Sequence, residues 1–155
     1  MKLKLTGVFA LLLCAAGSVQ AEATCSVSSS GLSFGEYDVL SLHENHSVGN
    51  LNVSCTGLSE TASVAYEIQL SPGSGAYGTR TLTSGDNVLA YNVYTQANHL
   101  FIWGDGSLGT AVLNDSYGLG LSTVNNNYPI YGRMPAGQSV SVGNYSDTLI
   151  MTVNY

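Results

Sequence analysis

The strongest constraint on this chain's fold is the alternation of side chains along residues 145–155. One face carries mostly apolar side chains, namely Tyr145, Asp147, Leu149, Met151, Val153 and Tyr155. This period of two is typical of a half-buried β-strand. A strand needs hydrogen-bonding neighbours, and no further strand pattern follows this one. The pattern alone leaves open which segment, and from which molecule, pairs with it.

Six other segments have the length and composition of short strands. They are residues 48–55, 64–70, 79–83, 88–95, 100–103 and 128–134. Segment 88–95 is apolar enough to be buried on both faces, and turn formers, including 125–127, separate the segments. This pattern predicts an all-β sandwich, with residues 104–123 as either a long loop or a weak hairpin. No amphipathic helix is predicted after residue 21.

The first 21 residues have the features of a secretory signal peptide. Lys2 and Lys4 precede an apolar run over residues 8–16, and small residues lead to a cleavage position after Ala21. The run is shorter than the ~20 residues that a bilayer span requires. A lipidated cysteine would follow small residues, but leucines stand before Cys14, so lipidation at Cys14 is not favoured. The sequence thus predicts export and one domain over residues 22–155.

The predicted mature chain is acidic and lacks lysine. Two arginines, Arg80 and Arg133, against ten acidic side chains give a formal charge of −8. Nucleic-acid binding requires clustered cations, and anionic membranes attract the same clusters. Both partner classes are therefore excluded, as are a Schiff-base lysine and a phosphate-binding P-loop.

Two cysteines, Cys25 and Cys55, remain after the predicted cleavage. An even pair in an exported chain favours a disulfide. A metal site is the alternative, but no second cysteine or histidine pair stands at a useful spacing.

Residues 31–35 match the G-x-S-x-G nucleophile motif around Ser33. That chemistry needs a sharp strand-to-helix turn, with an acid and a histidine downstream. No helix pattern follows the motif here. We expect instead a glycine-flanked strand that carries Leu32 and Phe34 into the core, and we predict no catalytic residue and no enzyme activity.

Other motifs are typical of cofactor or metal sites but lack the required context. Residues 104–109 match G-x-G-x-x-G, yet no helix follows to face a pyrophosphate, so a glycine-rich turn is favoured. His43 and His46 fall in a polar connection without a third ligand. Asp105 and Asp115 could bind a cation with loop carbonyls, but no complete ligand set is evident. No cofactor or metal is predicted.

Several motifs taken together resemble the spore coat protein U domain family. They are L-S-F-G-E-Y-D at 32–38, Y-N-V-Y at 91–94, W-G-D-G at 103–106, I-Y-G-R with P-A-G-Q at 130–138, and G-N-Y-S-D-T at 143–148. They follow the family order across nearly the whole of residues 22–155. The family includes subunits of Csu-type archaic chaperone–usher pili.

The resemblance implies an incomplete immunoglobulin-like β-sandwich that is completed by a donated strand. A periplasmic chaperone would lend a strand during folding, an outer-membrane usher would assemble the fibre, and another pilus subunit would supply the final strand. The acceptor interface would then comprise Leu149, Met151, Val153 and Tyr155. Cys25 and Cys55 match the family's early disulfide.

One departure from the family concerns donation of a strand. Only residues 22–24 separate the predicted cleavage from Cys25, whereas a donor of ordinary strand length needs about ten residues. We therefore expect a subunit that accepts a strand without passing one on, at a fibre end.

The alternative is a self-contained adhesin or a carbohydrate- or surface-binding module. Its contacts would come from loop tyrosines such as Tyr77, Tyr117 and Tyr128. Trp103 beside Phe101 could also line a sugar site, although core packing is favoured for Trp103.

Overall fold

The computed structural model describes residues 22–155. The predicted signal peptide, residues 1–21, and Cys14 lie outside the described residues. Within residues 22–155 the regular structure consists of strands, with no helix. The strands are β1 (Ala23–Ser29), β2 (Asn45–Gly57), β3 (Ser63–Leu70), β4 (Arg80–Ser84), β5 (Asn87–Tyr94), β6 (Leu113–Gly118), β7 (Thr123–Met134) and β8 (Met151–Asn154).

The strands form two antiparallel sheets. The first sheet has the order β1-β2-β7-β5-β4, and the second has the order β6-β3-β8. Alternate residues of β2 and β3 face inward; Leu51 and Val53 on β2 and Ile68 on β3 are fully buried. Two sheets with apolar inner faces packed in this way form a β-sandwich, as the sequence predicts.

Cys25 and Cys55 are opposite each other on β1 and β2 and form a disulfide. The predicted pairing is confirmed. The bond closes a loop across 30 positions of the sequence and fixes the edge strand β1 to the long strand β2.

The central strands are longer than the sequence predicts. The segment 125–127 was expected to be a turn, but it lies inside β7. The side chain of Asn127 accepts hydrogen bonds from Asn50 and Asn52 on β2. Cross-strand bonding of this kind overrides the turn preference of asparagine.

Two predicted strands take a different form. Residues 100–103 make isolated bridges, with Ile102 opposite Tyr94 and Trp103 opposite Ala111. The predicted strand over residues 145–155 is divided: Ser146 bridges Thr83 at the edge of β4, and only β8 joins the second sheet. The chain crosses from one sheet to the other between these points, and one ladder cannot continue through such a crossing.

Residues 104–123 contain both a turn and a strand. Gly106 and Gly109 have positive φ angles in a tight turn, and β6 then pairs with β3. The region is not one long loop, because it contains β6. It is not a local hairpin either, because the partner of β6 is β3, which is distant in sequence. Segment 88–95 is also less buried than expected: Val88 is exposed.

Candidate strand-acceptor groove

An open groove of about 1150 Å³ lies between the ends of the two sheets. Its floor is the inner face of the first sheet, which supplies Leu82, Leu89, Tyr91, Val93, Ile130 and Met134. Its walls are residues 27–39 on one side and residues 140–151 on the other. Five of these floor residues are 0–5% exposed and Leu82 is half-buried, so most of the accessible apolar surface of the groove belongs to its walls, as at Val27 and Val39.

The strand β8 borders the groove with an unpaired edge. Among the described residues β8 pairs only with β3. The amide N–H of Ser71 donates to the carbonyl of Ile150 (2.9 Å), so the backbone of Ile150 faces β3. Backbone groups alternate sides along a strand. The backbone N–H and C=O groups of Met151 and Val153 therefore face the free edge of β8, and the same groups of Thr152 face β3.

The hydrogen bond of Leu70 supports the same assignment. Leu70 is opposite Met151, and its N–H donates to the carbonyl of Gly104 (2.9 Å), away from β8. Opposite residues of an antiparallel pair direct their backbone groups either both toward each other or both away. Met151 therefore offers its own N–H and C=O to a further strand.

The four residues predicted as the acceptor interface differ in position. Leu149 and Met151 are half-buried and line the groove. Val153 packs against the core but does not line the groove. Tyr155 is 66% exposed. The structure thus brings the first two to the groove and leaves Tyr155 at the surface.

The strand β1 presents a second unpaired edge to the same groove. The N–H of Ser30 donates to the carbonyl of Asn50 on β2 (3.0 Å), so the even-numbered residues of β1 face β2. By alternation, Val27 and Ser29 direct their backbone groups away from β2, and both line the groove. Sequence reasoning missed this edge, because the pattern of β1 is polar.

Residues 31–35 form a wall of the groove and not a nucleophile turn. Leu32 and Phe34 lie over Gly132 of β7, where an added Cβ would come within 2.7 Å of the Phe34 ring. The N–H of Ser33 donates to Ser47 Oγ (2.9 Å). The apolar packing is as expected, but the segment joins no strand ladder, so the expected strand is wrong. The close approach of the Phe34 ring explains why glycine occupies position 132.

The opposite wall is held by Asp147. Its carboxylate accepts hydrogen bonds from Ser74 N–H (3.0 Å) and Oγ–H (2.8 Å) and from the hydroxyl of Tyr91 (2.7 Å). Burial raises the pKa of Tyr91 above its usual value, and the hydrogen bond to Asp147 raises it further. The phenol therefore stays protonated and remains a donor at physiological pH.

The groove has an acidic rim. Its lining includes Glu36, Asp38 and Asp147, and contains no lysine or arginine within the described residues. An apolar strand fits the floor, and a neutral or basic strand suits the rim.

A buried arginine, which sequence reasoning did not single out, holds the turns beside the groove. Arg80 is fully buried and donates to the carbonyls of Ser71 (2.8 Å) and Trp103 (2.6 Å) and to Asn92 Oδ1 (2.6 Å). Burial lowers its pKa below the usual range. The one available signal was its rarity, because it is one of two arginines after residue 21.

The histidine and aspartate candidates do not form a metal site. Within residues 22–155, His, Cys, Asp and Glu side chains form no metal-binding group of three or more. Glu44, beside His46, pairs with Arg133. Asp105 accepts hydrogen bonds from Ser107, and Asp115 accepts one from Tyr128.

Two of the three tyrosines proposed for a binding module are on strands, and the third, Tyr77, is in the turn before β4. Tyr117 is on β6 and packs edge-to-face on Tyr66, with ring centroids 5.9 Å apart. Tyr128 is half-buried on β7, and Tyr77 is half-buried, with Arg80 over its ring. Trp103 is fully buried and donates to the carbonyl of Ile68 (3.0 Å). The expectation of loop contacts from Tyr117 and Tyr128 is wrong.

Residues 11–152 match the family model of the spore coat protein U domain. The chain belongs to the spore coat protein U domain family. Protein U of Myxococcus xanthus is 32% identical over 145 residues, which cover 84% of this chain and 77% of that protein. The family resemblance stated from the sequence motifs is therefore confirmed.

A solved structure shares the fold of this family member. It is the CsuC–CsuE chaperone–tip adhesion subunit pre-assembly complex from the archaic chaperone–usher Csu pili of Acinetobacter baumannii. The match has a TM-score of 0.53 and 16% identity, and covers 86% of this chain and 40% of that chain. The likeness confirms the predicted immunoglobulin-like sandwich.

Among residues 22–155, no helix is long and apolar enough to cross a membrane.

Proposed function

We propose that this spore coat U domain is a structural subunit of a surface pilus or coat and has no enzymatic role. Its groove accepts a β-strand from another chain. The observation that carries the proposal is the pair of unpaired strand edges, on β1 and β8, that border one apolar groove. Strand addition supplies backbone hydrogen bonds to such edges and apolar side chains to the groove between them.

The partners in this proposal are a periplasmic chaperone, an outer-membrane usher and other pilus subunits. The chaperone fills the groove before assembly, and a neighbouring subunit fills it afterwards. The family assignment and the fold shared with a chain of a chaperone–subunit complex support this order. Export through the periplasm to the cell surface follows from the same proposal.

The proposal also concerns position in the fibre. Residues 23–29 are already paired with β2, and the carbonyl of Glu22 accepts from Leu58 N–H (2.9 Å). A segment donated to a neighbour must therefore precede residue 22. With cleavage after Ala21, this subunit accepts a strand at a fibre end without passing one on. The mass of the mature protein tests the cleavage site; a mature chain that starts well before residue 21 would contradict the end position.

Amide hydrogen exchange tests the groove residue by residue. In the chain without a partner we expect the N–H groups of Met151 and Val153 to exchange rapidly, because they face the free edge. The N–H of Thr152 faces β3 and should be protected. Adding the chaperone should protect all three. Full protection of Met151 and Val153 without any partner would contradict strand acceptance and favour a self-contained module.

A matched pair of proline variants tests the same edge by mutation. Val153→Pro removes an N–H that faces the free edge of β8, so the domain should fold while binding the partner at least about tenfold more weakly. Thr152→Pro removes an N–H that faces β3 and should cost about 1–3 kcal/mol of folding stability. Unchanged chaperone affinity of a folded Val153→Pro variant would contradict the proposal.

A further inference from the structure

The outer face of the first sheet carries a regular array of uncharged polar side chains. Its nine members stand at registered positions of β1, β2 and β7. The three rows are Thr24, Thr56 and Thr123; Ser26, Ser54 and Asn125; and Ser28, Asn52 and Asn127. We call these nine residues the hydroxyl–amide array.

Every member of the array is accessible to solvent. The β1 and β7 members are exposed, and the β2 members between them are half-buried. The intervening residues of β2, such as Val53 and Cys55, point into the core. Over these three rows the alternation of the strands separates an apolar inner face from outer side chains that carry hydroxyl and amide groups. Farther along β2 the same outer face carries the exposed Val48.

Hydrogen bonds within the array fix several of its side chains. The hydroxyls of Thr56 and Thr123 are 2.8 Å apart. Asn127 Oδ1 accepts from Asn52 Nδ2 (3.1 Å) and from the adjoining Asn50 Nδ2 (3.0 Å). These bonds orient four of the nine members, Asn52, Thr56, Thr123 and Asn127, so little rotamer entropy is lost when a ligand binds the free donors and acceptors of those four side chains.

The charge of the chain limits what such a face can bind. The ten acidic residues are all outside the array, and the predicted mature chain carries a net charge of −8. A polyanion would be repelled by the protein as a whole. A polycation would be drawn to the carboxylates elsewhere. A neutral partner that has its own hydroxyls matches the array.

The size of the array argues against a stable contact between two copies. Strand spacing and rise give about 10 Å by about 14 Å between its outermost positions. That area falls well below the roughly 800 Å² per partner of a stable protein interface. A small, weak site becomes effective when many copies contact one long polymer.

We propose that the hydroxyl–amide array binds a neutral, hydroxyl-rich polysaccharide, with many subunits contacting one polymer. Sugar hydroxyls replace water at the fixed side chains, and each contact adds a small increment. This site is on the outer face of the first sheet, and eight of its nine members are outside the groove; Ser28, on the edge strand β1, also lines it. It therefore does not depend on strand acceptance.

The experiment is co-sedimentation with insoluble neutral glucans, cellulose and starch, with an alginate gel as the acidic comparison. The mature chain is displayed on beads to supply many copies. We expect the beads to be retained by at least one neutral glucan and not by alginate. Ser54→Glu, at the array centre, should reduce retention about tenfold. Ser63→Glu, exposed on β3 of the other sheet, is the matched control and should leave it unchanged.

The other outcomes contradict the proposal. They are no retention of wild-type beads on either glucan, equal retention of the two variants, or stronger retention on alginate. Dimerisation of the soluble chain that is lost in Ser54→Glu would make the array an interface between copies. If Ser54→Glu does not fold, Ser26→Glu on the edge strand β1 replaces it.

Discussion

The pair β2–β7 and the strand β8 represent opposite extremes of pairing in one domain. The strand β2 is 13 residues long and has β1 on one edge and β7 on the other, while β8 is 4 residues long and pairs only with β3. The side chains of β2 that face inward are fully buried at Leu51 and Val53, whereas Met151 of β8 stays half-exposed at the groove. Stability therefore resides in strands that are paired on both edges, and the capacity to bind a strand resides at unpaired edges such as that of β8.

The largest expected effect comes from removing the disulfide that fixes β1 to β2. Replacing Cys25 and Cys55 together by alanine frees a loop across 30 positions of the sequence, and the chain-entropy model gives a loss of about 3.5 kcal/mol. Urea unfolding of the double variant and of wild type measures this loss of folding stability. Reduction of the wild-type protein is the control and should lower stability by a similar amount. An unchanged unfolding midpoint would show that β1 stays on β2 without the covalent bond.

The second prediction compares one truncation on each side of the contrast. Leu51→Ala opens a cavity in a fully buried site and should cost about 3 kcal/mol of folding stability. Met151→Ala should cost under about 1 kcal/mol in the chain without a partner, because its side chain is only half-buried. It should nevertheless weaken binding of the donated strand about tenfold.

Thermal unfolding and titration with the chaperone separate these two effects. A stability loss from Met151→Ala as large as that from Leu51→Ala would show that β8 already belongs to a complete core. The contrast between the two regions would then disappear.

The smallest expected effect concerns the ion pair between β7 and the residue before β2. A hydrogen bond from Arg133 lowers the pKa of Glu44 below its usual range. The stabilisation is therefore fully present above the unfolded pKa and is lost as the pH falls through the folded pKa. Both side chains are about one-third exposed, so solvent limits the effect to about 0.5 kcal/mol.

Glu44→Gln tests that effect. The variant should be slightly less stable than wild type at pH 7 and equal to it near pH 3. Asp86→Asn, which replaces an exposed acid in the turn between β4 and β5, is the control for a change in net charge. A difference that persists at pH 3 would assign the effect to packing and not to charge.

Much of the fold follows from local patterns in the sequence. Alternating apolar residues predicted the position of β3, because every second side chain of a strand faces the core. A threonine-rich run predicted β4, and an apolar and aromatic run predicted β5. The cysteine pair was predicted correctly, because an exported chain with two cysteines has one simple pairing. Family motifs around Phe34, Trp103 and Arg133 predicted the sandwich that the strands form.

The candidate groove was only partly predictable. The alternation over residues 145–155 indicated Leu149 and Met151. It did not indicate that Ser146 bridges Thr83 on the other sheet. The polar pattern of β1 concealed the second free edge, and nothing local indicated that Arg80 would be fully buried. These features depend on residues that are far apart in sequence.

The sequence by itself determined several of the strands, the disulfide and the family, because side-chain periodicity and motif order are local properties. Only the tertiary structure decided which strand edges stay unpaired and how Thr24, Thr56 and Thr123 come into one row. The register between strands is set by how the whole inner face packs. A single strand's pattern specifies which side chains face inward, but not which strand becomes its neighbour.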